Sequence, residues 1–183
     1  MTFDDSSPGQ LRFLPDGKGG YKVDPNCAVG ILESFYAAHP DFGLAAIFFV
    51  LPAADPPNRL FNQPEYTQEK LRYLVRKGFE IGNHTYWHAT LSKMSPEGVR
   101  RQLALALPMG IYPKDTSLLL KGSYEGISYQ NLGVMMVAGG PAVPFVHPSF
   151  NPLRIHRIEA IESELNYWLR YFDKHPNERF TGG

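Results

Sequence analysis

Asp4 and Asp5 stand side by side near the start of the chain, and His84 and His88 lie four positions apart much later in it. Two imidazoles and a carboxylate are a common catalytic set for zinc, leaving one position open for water. A second carboxylate beside that set is placed to take a proton from the water. On a turn of helix, positions i and i+4 share a face. His84 and His88 are therefore expected to aim two ring nitrogens at one ion from a helical turn. The zincin pattern H-E-x-x-H is absent, because Thr85 stands where its Glu would be. Each fragment alone is weak, since paired Asp also caps helices or faces solvent, and histidine pairs also pack or sit exposed. Their weight comes from occurring together at the ends of two separate strands.

The elements that must position them follow from pattern. Thr2-Phe3 favours a strand with the two Asp at its end. Residues 6 to 22 are loop by composition, with Ser6, Ser7, Pro8, Gly9, Pro15, Gly17, Gly19 and Gly20. Asp24-Pro25 predicts a helix start, and Val29, Leu32, Phe35 and Tyr36 recur at helical spacing until His39-Pro40. Leu44 to Leu51 is a continuous apolar run, the pattern of a strand buried on both faces. Residues 52 to 64 hold four Pro and two Asn, a second long loop.

Thr67 to Lys77 predicts a helix closed by Gly78. Phe79 to Gly82 predicts a short strand, and Ser95-Pro96-Glu97 starts a helix with Val99, Leu103 and Leu107 as its stripe. Leu118 to Leu120 and Val134 to Val137 predict two further buried strands. Ile158, Ile161, Leu165, Trp168, Leu169 and Phe172 predict a closing amphipathic helix, with Trp168 in the core. The alternation of strands and helices argues an α/β domain with a mostly parallel sheet, whose function sits at the C-terminal ends of its strands.

Composition narrows the function. The 183 residues fit one domain, with 43% apolar and 20% charged residues, so a packed core is expected rather than disorder. Eighteen basic residues balance eighteen acidic ones, so bulk attraction to nucleic acid or anionic lipid is not expected. The single cysteine, Cys27, excludes an internal disulfide framework and a Cys-rich zinc site, and reads as a buried helix residue. The longest apolar run, Gly43 to Leu51, is too short to span a membrane, and no signal peptide is present in the chain.

Thr2-Phe3-Asp4-Asp5 followed by His84-Thr85-x-x-His88 resembles the first two motifs of the polysaccharide deacetylase family, the NodB-homology domain of carbohydrate esterase family 4. Ala46-Ile47-Phe48-Phe49-Val50 resembles that family's A-T-F-F-V strand, and Gly78 to Thr85 is similar to its G-H-E-I-G-N-H-T run. The resemblance runs from residue 1 to about 110 and implies one catalytic domain over residues 1–183. The implied fold is a distorted (β/α) barrel, usually of seven strands, here with its first strand shortened. The implied enzyme is a hydrolase of carbon–nitrogen bonds other than peptide bonds. It would remove N-acetyl groups from an amino-sugar polysaccharide such as chitin or peptidoglycan.

By position, Asp4 would be the general base, and Asp5, His84 and His88 would hold a divalent metal. Zn2+ suits such ligands first, with Co2+, Ni2+ and Mn2+ also possible. The ion would polarise the acetamide oxygen and supply hydroxide near neutral pH.

Other parts of the pattern depart. The third motif's Arg, which contacts the base in the family, is replaced by Ala106 in Ala106-Leu107-Pro108-Met109-Gly110. That substitution removes an obvious cationic partner of Asp4, while the Met109 N–H remains a candidate oxyanion donor. The Asp–Trp motif has no clear counterpart. His147, in a loop after a strand, is the best candidate for the general acid, and otherwise reads as a plain loop residue. His156 reads as a cap of the last helix. Tyr86 and Trp87 are candidates for stacking on sugar, or for packing on the barrel rim. Tyr112, Tyr124 and Tyr129 fall in a Gly-rich stretch that could form a substrate loop. Arg154, Arg157 and Arg170 read as solvated charges.

Family strands of this kind carry several apolar residues before the Thr, so the chain is expected to be an N-terminally truncated member. Upstream residues could include an export signal, and family members usually act outside the cytoplasm or in the cell envelope. The oligomeric state is unreadable. Two other functions stay open: a degenerate member that binds glycan or metal with little turnover, and a deacylase or amidase of a small N-acyl compound.

Overall fold

The computed structural model describes residues 1–105, 121–130, 133, 135, 136 and 138–178. Three parallel strands organise the first half: β1 (Thr2–Phe3), β4 (Ile47–Val50) and β5 (Glu80–Asn83), in the order β1-β4-β5. Thr2 lies beside Ile47, Phe48 beside Ile81 and Val50 beside Asn83. Helix α1 (Ala28–Ala38) connects β1 to β4, and α2 (Thr67–Arg76) connects β4 to β5. Central β4 carries Phe48, Phe49 and Val50, all buried, as its unbroken apolar run predicts. Because the strands are parallel, their C-terminal ends lie together. Asp4-Asp5 leaves β1 at that end, and residues 84–88 leave β5 there.

Two elements begin later than their sequence signals. Helix α1 starts at Ala28, not at Pro25, because Asp24 closes a turn of its own. Its carboxylate accepts the Asn26 N–H at 2.9 Å, and its carbonyl accepts the Cys27 N–H at 3.1 Å. This turn folds back on the helix at Gly30, where a Cβ would lie 2.2 Å from the Asp24 carbonyl oxygen. Cys27 is buried as expected, but at the N-cap position rather than inside the helix. Helix α4 (Glu162–Lys174) starts after Ile161, so Ile158 and Ile161 lie ahead of it. It has no buried residue, and Trp168 is half-buried with its indole N–H on Glu164 at 3.1 Å rather than in the core.

The stretch 6–22 is not plain loop. It folds a hairpin of β2 (Phe13–Pro15) and β3 (Tyr21–Val23). Asp16 closes the turn by accepting the N–H groups of Lys18 at 2.7 Å and Gly20 at 2.9 Å. The Phe13 and Tyr21 rings stack at 4.1 Å. This hairpin and the stretch 52–64 are stitched together. Gln63 bonds both the N–H and the carbonyl of Phe13, at 2.8 and 3.0 Å. Lys70 is fully buried and donates to the carbonyls of Leu11 at 2.9 Å and Phe61 at 3.2 Å. Burial pushes its ammonium down to about 8. Leu11, Phe13, Val29, Phe48, Phe61 and Leu74 form the main core beneath.

Helix α3 (Pro96–Leu105) presents Val99 and Leu103 to a second, smaller core with Leu91 and Tyr129. Tyr129 belongs to a hairpin, β6 (Lys121–Tyr124) and β7 (Ile127–Gln130), that the Gly-rich composition concealed. Its burial corrects the substrate-loop expectation for that residue, since a core side chain cannot stack on a ligand. Of the strand expected at Val134 to Val137, Met135 pairs with Ile155 in an isolated parallel bridge. Leu118 to Leu120, Leu107, Tyr112, Val134 and Val137 lie outside the described residues. The domain is α/β, and the parallel sheet has three strands among the described residues. No described helix is long and apolar enough to cross a membrane.

Candidate metal centre at the strand ends

The chain turns sharply after β1. Asp5 and Ser6 adopt positive φ, 73° and 43°. Ser6 holds the turn from beneath. Its hydroxyl donates to Asn58 O at 2.8 Å and accepts the Leu51 N–H at 3.0 Å, while its carbonyl accepts the Phe61 N–H at 2.7 Å. The two stitched loops thus fix the direction in which Asp5 leaves the sheet. Asp5 Oδ1 lies 2.8 Å from His84 Nε2 and 3.4 Å from His88 Nε2. One ligand atom from each of the three residues falls within 4.8 Å of the others.

The histidines do not reach this arrangement from a helix. Residues 84–88 form an irregular loop in which Thr85 and His88 sit at φ 69° and 67°. A β-branched residue there is an outlier that needs support. The support is a set of acceptors. Asn83 Oδ1 takes the Thr85 N–H at 3.2 Å, and Thr85 Oγ1 takes the Ala89 N–H at 2.9 Å. Buried Gln102 of α3 takes the N–H groups of Tyr86 at 3.1 Å and Trp87 at 3.4 Å. Asn83 Nδ2 reaches back to Leu103 O at 3.4 Å. Helix α3 therefore braces the loop, and the two imidazoles meet with ring centroids 5.0 Å apart.

His84 is buried, and burial holds its imidazolium below the ordinary histidine range against the pull of Asp4 and Asp5. The neutral ring that results is the form that binds metal. Two Nε2 atoms meeting one carboxylate oxygen make a donor set of the chemistry that zinc and its neighbours take.

Asp4 faces a different partner. Arg157 Nη1 donates to Asp4 Oδ1 at 2.9 Å and Nη2 pairs with Oδ2, a two-pronged ion pair across the fold. The same Nη1 reaches Thr2 Oγ1 at 3.0 Å. Gln10 Nε2 donates to the Asp4 carbonyl oxygen. The expectation that Arg157 is a solvated charge is corrected, since its side chain is 15% exposed and held by this pair.

A family model described as polysaccharide deacetylase matches residues 1–108. The chain belongs to the polysaccharide deacetylase family. No curated protein and no solved structure matches the chain. The family's members depend in general on a divalent metal, and the segment matched contains Asp4, Asp5, His84 and His88. Arg157 lies well beyond it.

The remaining candidates from the family pattern are scattered. Tyr86 is partly buried and Trp87 is 41% exposed, with the two rings edge to face at 5.8 Å. The Arg101 guanidinium sits over the Trp87 ring at 5.5 Å. Met109 and Ala106 lie outside the described residues. His147 is in an exposed loop, with Nδ1 bonded to the hydroxyl of Ser149 at 2.7 Å, and none of its hydrogen bonds reaches the acidic pair or the histidines. His156 does not cap α4, which begins at Glu162; its Nδ1 meets Gly139 O at 3.0 Å. Two groups escaped the sequence reading. Gln102 looks like an ordinary helix residue until the loop it braces is in place, and nothing local distinguishes Arg157 from Arg154 or Arg170.

Proposed function

We infer that the protein is a metal-dependent hydrolase of N-acetyl groups on an amino-sugar polysaccharide of the chitin or peptidoglycan type. The observation that carries this reading is the meeting of Asp5, His84 and His88 at one point, with the carboxylate of Asp4 next to it in the chain. Asp5, His84 and His88 hold the ion, with Zn2+ preferred and Co2+, Ni2+ or Mn2+ as other occupants. When bound, the metal supplies a Lewis acid for the acetamide oxygen and an acidified water. Asp4 is the general base that takes the proton as the carbonyl is attacked. Its two oxygens are oriented by Arg157, and the main chain of residues 83–88 stays fixed by Asn83 and Gln102.

In this reading the three parallel strands are part of a distorted (β/α) barrel, and residues 1–183 form one catalytic domain. The substrate polymers named lie outside the cytoplasm, which places the site of action in the cell envelope or beyond it. The direct test is acetate release from N-acetylglucosamine oligomers by chelator-treated protein reloaded with each of the four metals. Absence of release with every metal removes the reading.

A second reading has its own observation. His147, the candidate acid, is turned to Ser149 in an exposed loop. A member lacking its acid would bind metal or glycan with little turnover. Stoichiometric metal binding without acetate release selects that reading.

A further inference from the structure

We propose that Arg157 is the positioning residue for Asp4, doing from a late, unmatched segment what Ala106 no longer does from the third motif. This rests on the deacetylase reading of the site. Among the described residues, strand β1 is the edge of its sheet, and a cavity of about 700 Å3 opens beside it, lined among others by Thr2, Phe3, Asp4, Arg157, Ile158 and Leu165. No neighbouring strand packs against the outer side of Asp4 among the described residues. Its side chain is 28% exposed, so packing alone does not hold its torsions.

The guanidinium does. It grips both carboxylate oxygens and reaches the hydroxyl of Thr2, the other polar side chain on the same face of the strand. A planar fork engaging two oxygens fixes the plane of the carboxylate as well as its place, which an ammonium cannot do.

The backbone that presents Arg157 is itself held. Ile155 bridges to Met135 and accepts the Met136 N–H at 2.7 Å, and His156 is tied to Gly139. The arginine therefore comes from a fixed support rather than a free loop. Its effect is on geometry: Asp4 is aimed at the proton it must take, and Asp5, on the other side of the turn, is left to the histidines.

The test is steady-state kinetics of zinc-loaded wild type, Arg157→Met and Arg157→Lys on N-acetylglucosamine oligomers, with zinc affinity measured by calorimetry for each. Arg157→Met is expected to lose roughly a hundredfold in kcat, the scale of a misaimed catalytic group, with zinc affinity unchanged. Arg157→Lys, which keeps charge without the fork, is expected to fall between the two. A third variant, Arg157→Ala, leaves a space at the site, and added guanidinium is expected to restore part of its kcat, an effect that a merely structural arginine would not show.

Should Arg157→Met fail to bind zinc because it misfolds, Arg157→Lys decides. Reduced kcat with intact zinc binding supports the role, and wild-type kcat overturns it. Active wild type with unimpaired Arg157→Met overturns this proposal alone. Wild type inactive with every metal removes the deacetylase reading and takes this proposal with it.

Discussion

Asp4 and Asp5 are neighbours in sequence, yet they face two different parts of the molecule. Asp5 turns to the imidazoles of the loop after β5, within the segment that matches the family. Asp4 turns to a guanidinium from residue 157, beyond the matched segment. Successive residues along a strand point to opposite faces, and the positive φ of Asp5 marks where the chain turns away from β1. The imidazole side is built from the ends of β1 and β5, which flank β4 in one parallel sheet, and each end carries a short motif. The guanidinium side depends on a long-range contact that no motif announces. In the proposed reading, the family motifs supply the metal ligands while a residue outside the matched segment holds the base.

The sharpest way to break this comparison is to neutralise the two aspartates separately. Asp5→Ala is expected to abolish both metal binding and acetate release, as is His84→Ala. Loss of a ligand should exceed the roughly 10–100-fold loss of metal affinity that outer partners bring. Asp4→Asn should keep the metal and lose about 10²–10⁴ in kcat, the contribution of a general base. Calorimetric metal titration beside acetate release separates the two. Full metal stoichiometry in both Asp5→Ala and His84→Ala would dismiss the ligand set. Loss of metal in Asp4→Asn would show that the two carboxylates do not divide the work.

Gln102 tests whether the imidazole side depends on its brace. Gln102→Leu keeps the volume of the buried side chain but leaves the Tyr86 and Trp87 N–H groups without their acceptor. Both bonds are part-buried, so water takes up some of the loss, and the loop that carries His84 and His88 should relax. Metal affinity is expected to fall by roughly 10–100-fold, with the Arg157–Asp4 pair untouched. Unchanged affinity would place the bracing elsewhere.

How much of this was legible beforehand divides along the same line. The parallel strands follow from apolar runs, and a meeting of two imidazoles with a carboxylate at strand ends follows from residue types and spacing. The choice of Asp5 over Asp4 as the partner of the histidines, by contrast, came only from the family resemblance. The helical spacing of His84 and His88 suggested the right convergence for the wrong reason. Asn83, Thr85 and Gln102 hold the loop in a conformation that i to i+4 logic does not describe. The two hairpins were concealed because their strands are only three or four residues long and lie in stretches whose Gly and Pro content reads as loop. Phe13 and Tyr129 show their character only through the partners they pack on. Trp168 misled because α4 is amphipathic in pattern but rests lightly on the domain, with Leu169 62% exposed. Arg157 was unreadable for a plainer reason: an ion pair spanning most of the chain leaves no local trace.

Acid should act first on the imidazole side. His84 in the folded metal-free protein resists protonation because it is buried. Between its lowered folded value and the ordinary value near 6.5, the unfolded chain therefore binds more protons than the folded one. By linkage, stability rises with pH through that window and is lost as pH falls through it. Denaturant midpoints of the metal-free protein should drop as pH falls below about 6.5, and His84→Gln should flatten that part of the curve. A drop of equal size in His84→Gln would assign the acid sensitivity to other groups. Metal affinity should weaken over the same range, because protons compete for the ring nitrogens.

The smallest effect belongs to the rim. Trp87 is exposed beside His88, with Arg101 covering its ring, so one aromatic face is already engaged by a cation. If the other face stacks on a sugar of the polymer, Trp87→Ala should raise KM several-fold and leave kcat and metal affinity alone. An aromatic contact of about 1 kcal/mol is the scale involved. The effect should also grow with oligomer length, because a short substrate can occupy the metal centre without reaching the ring. A KM that does not move for any oligomer would make Trp87 a packing residue. The cavity beside Asp4 and Arg157 would then be the next groove to test for the polymer.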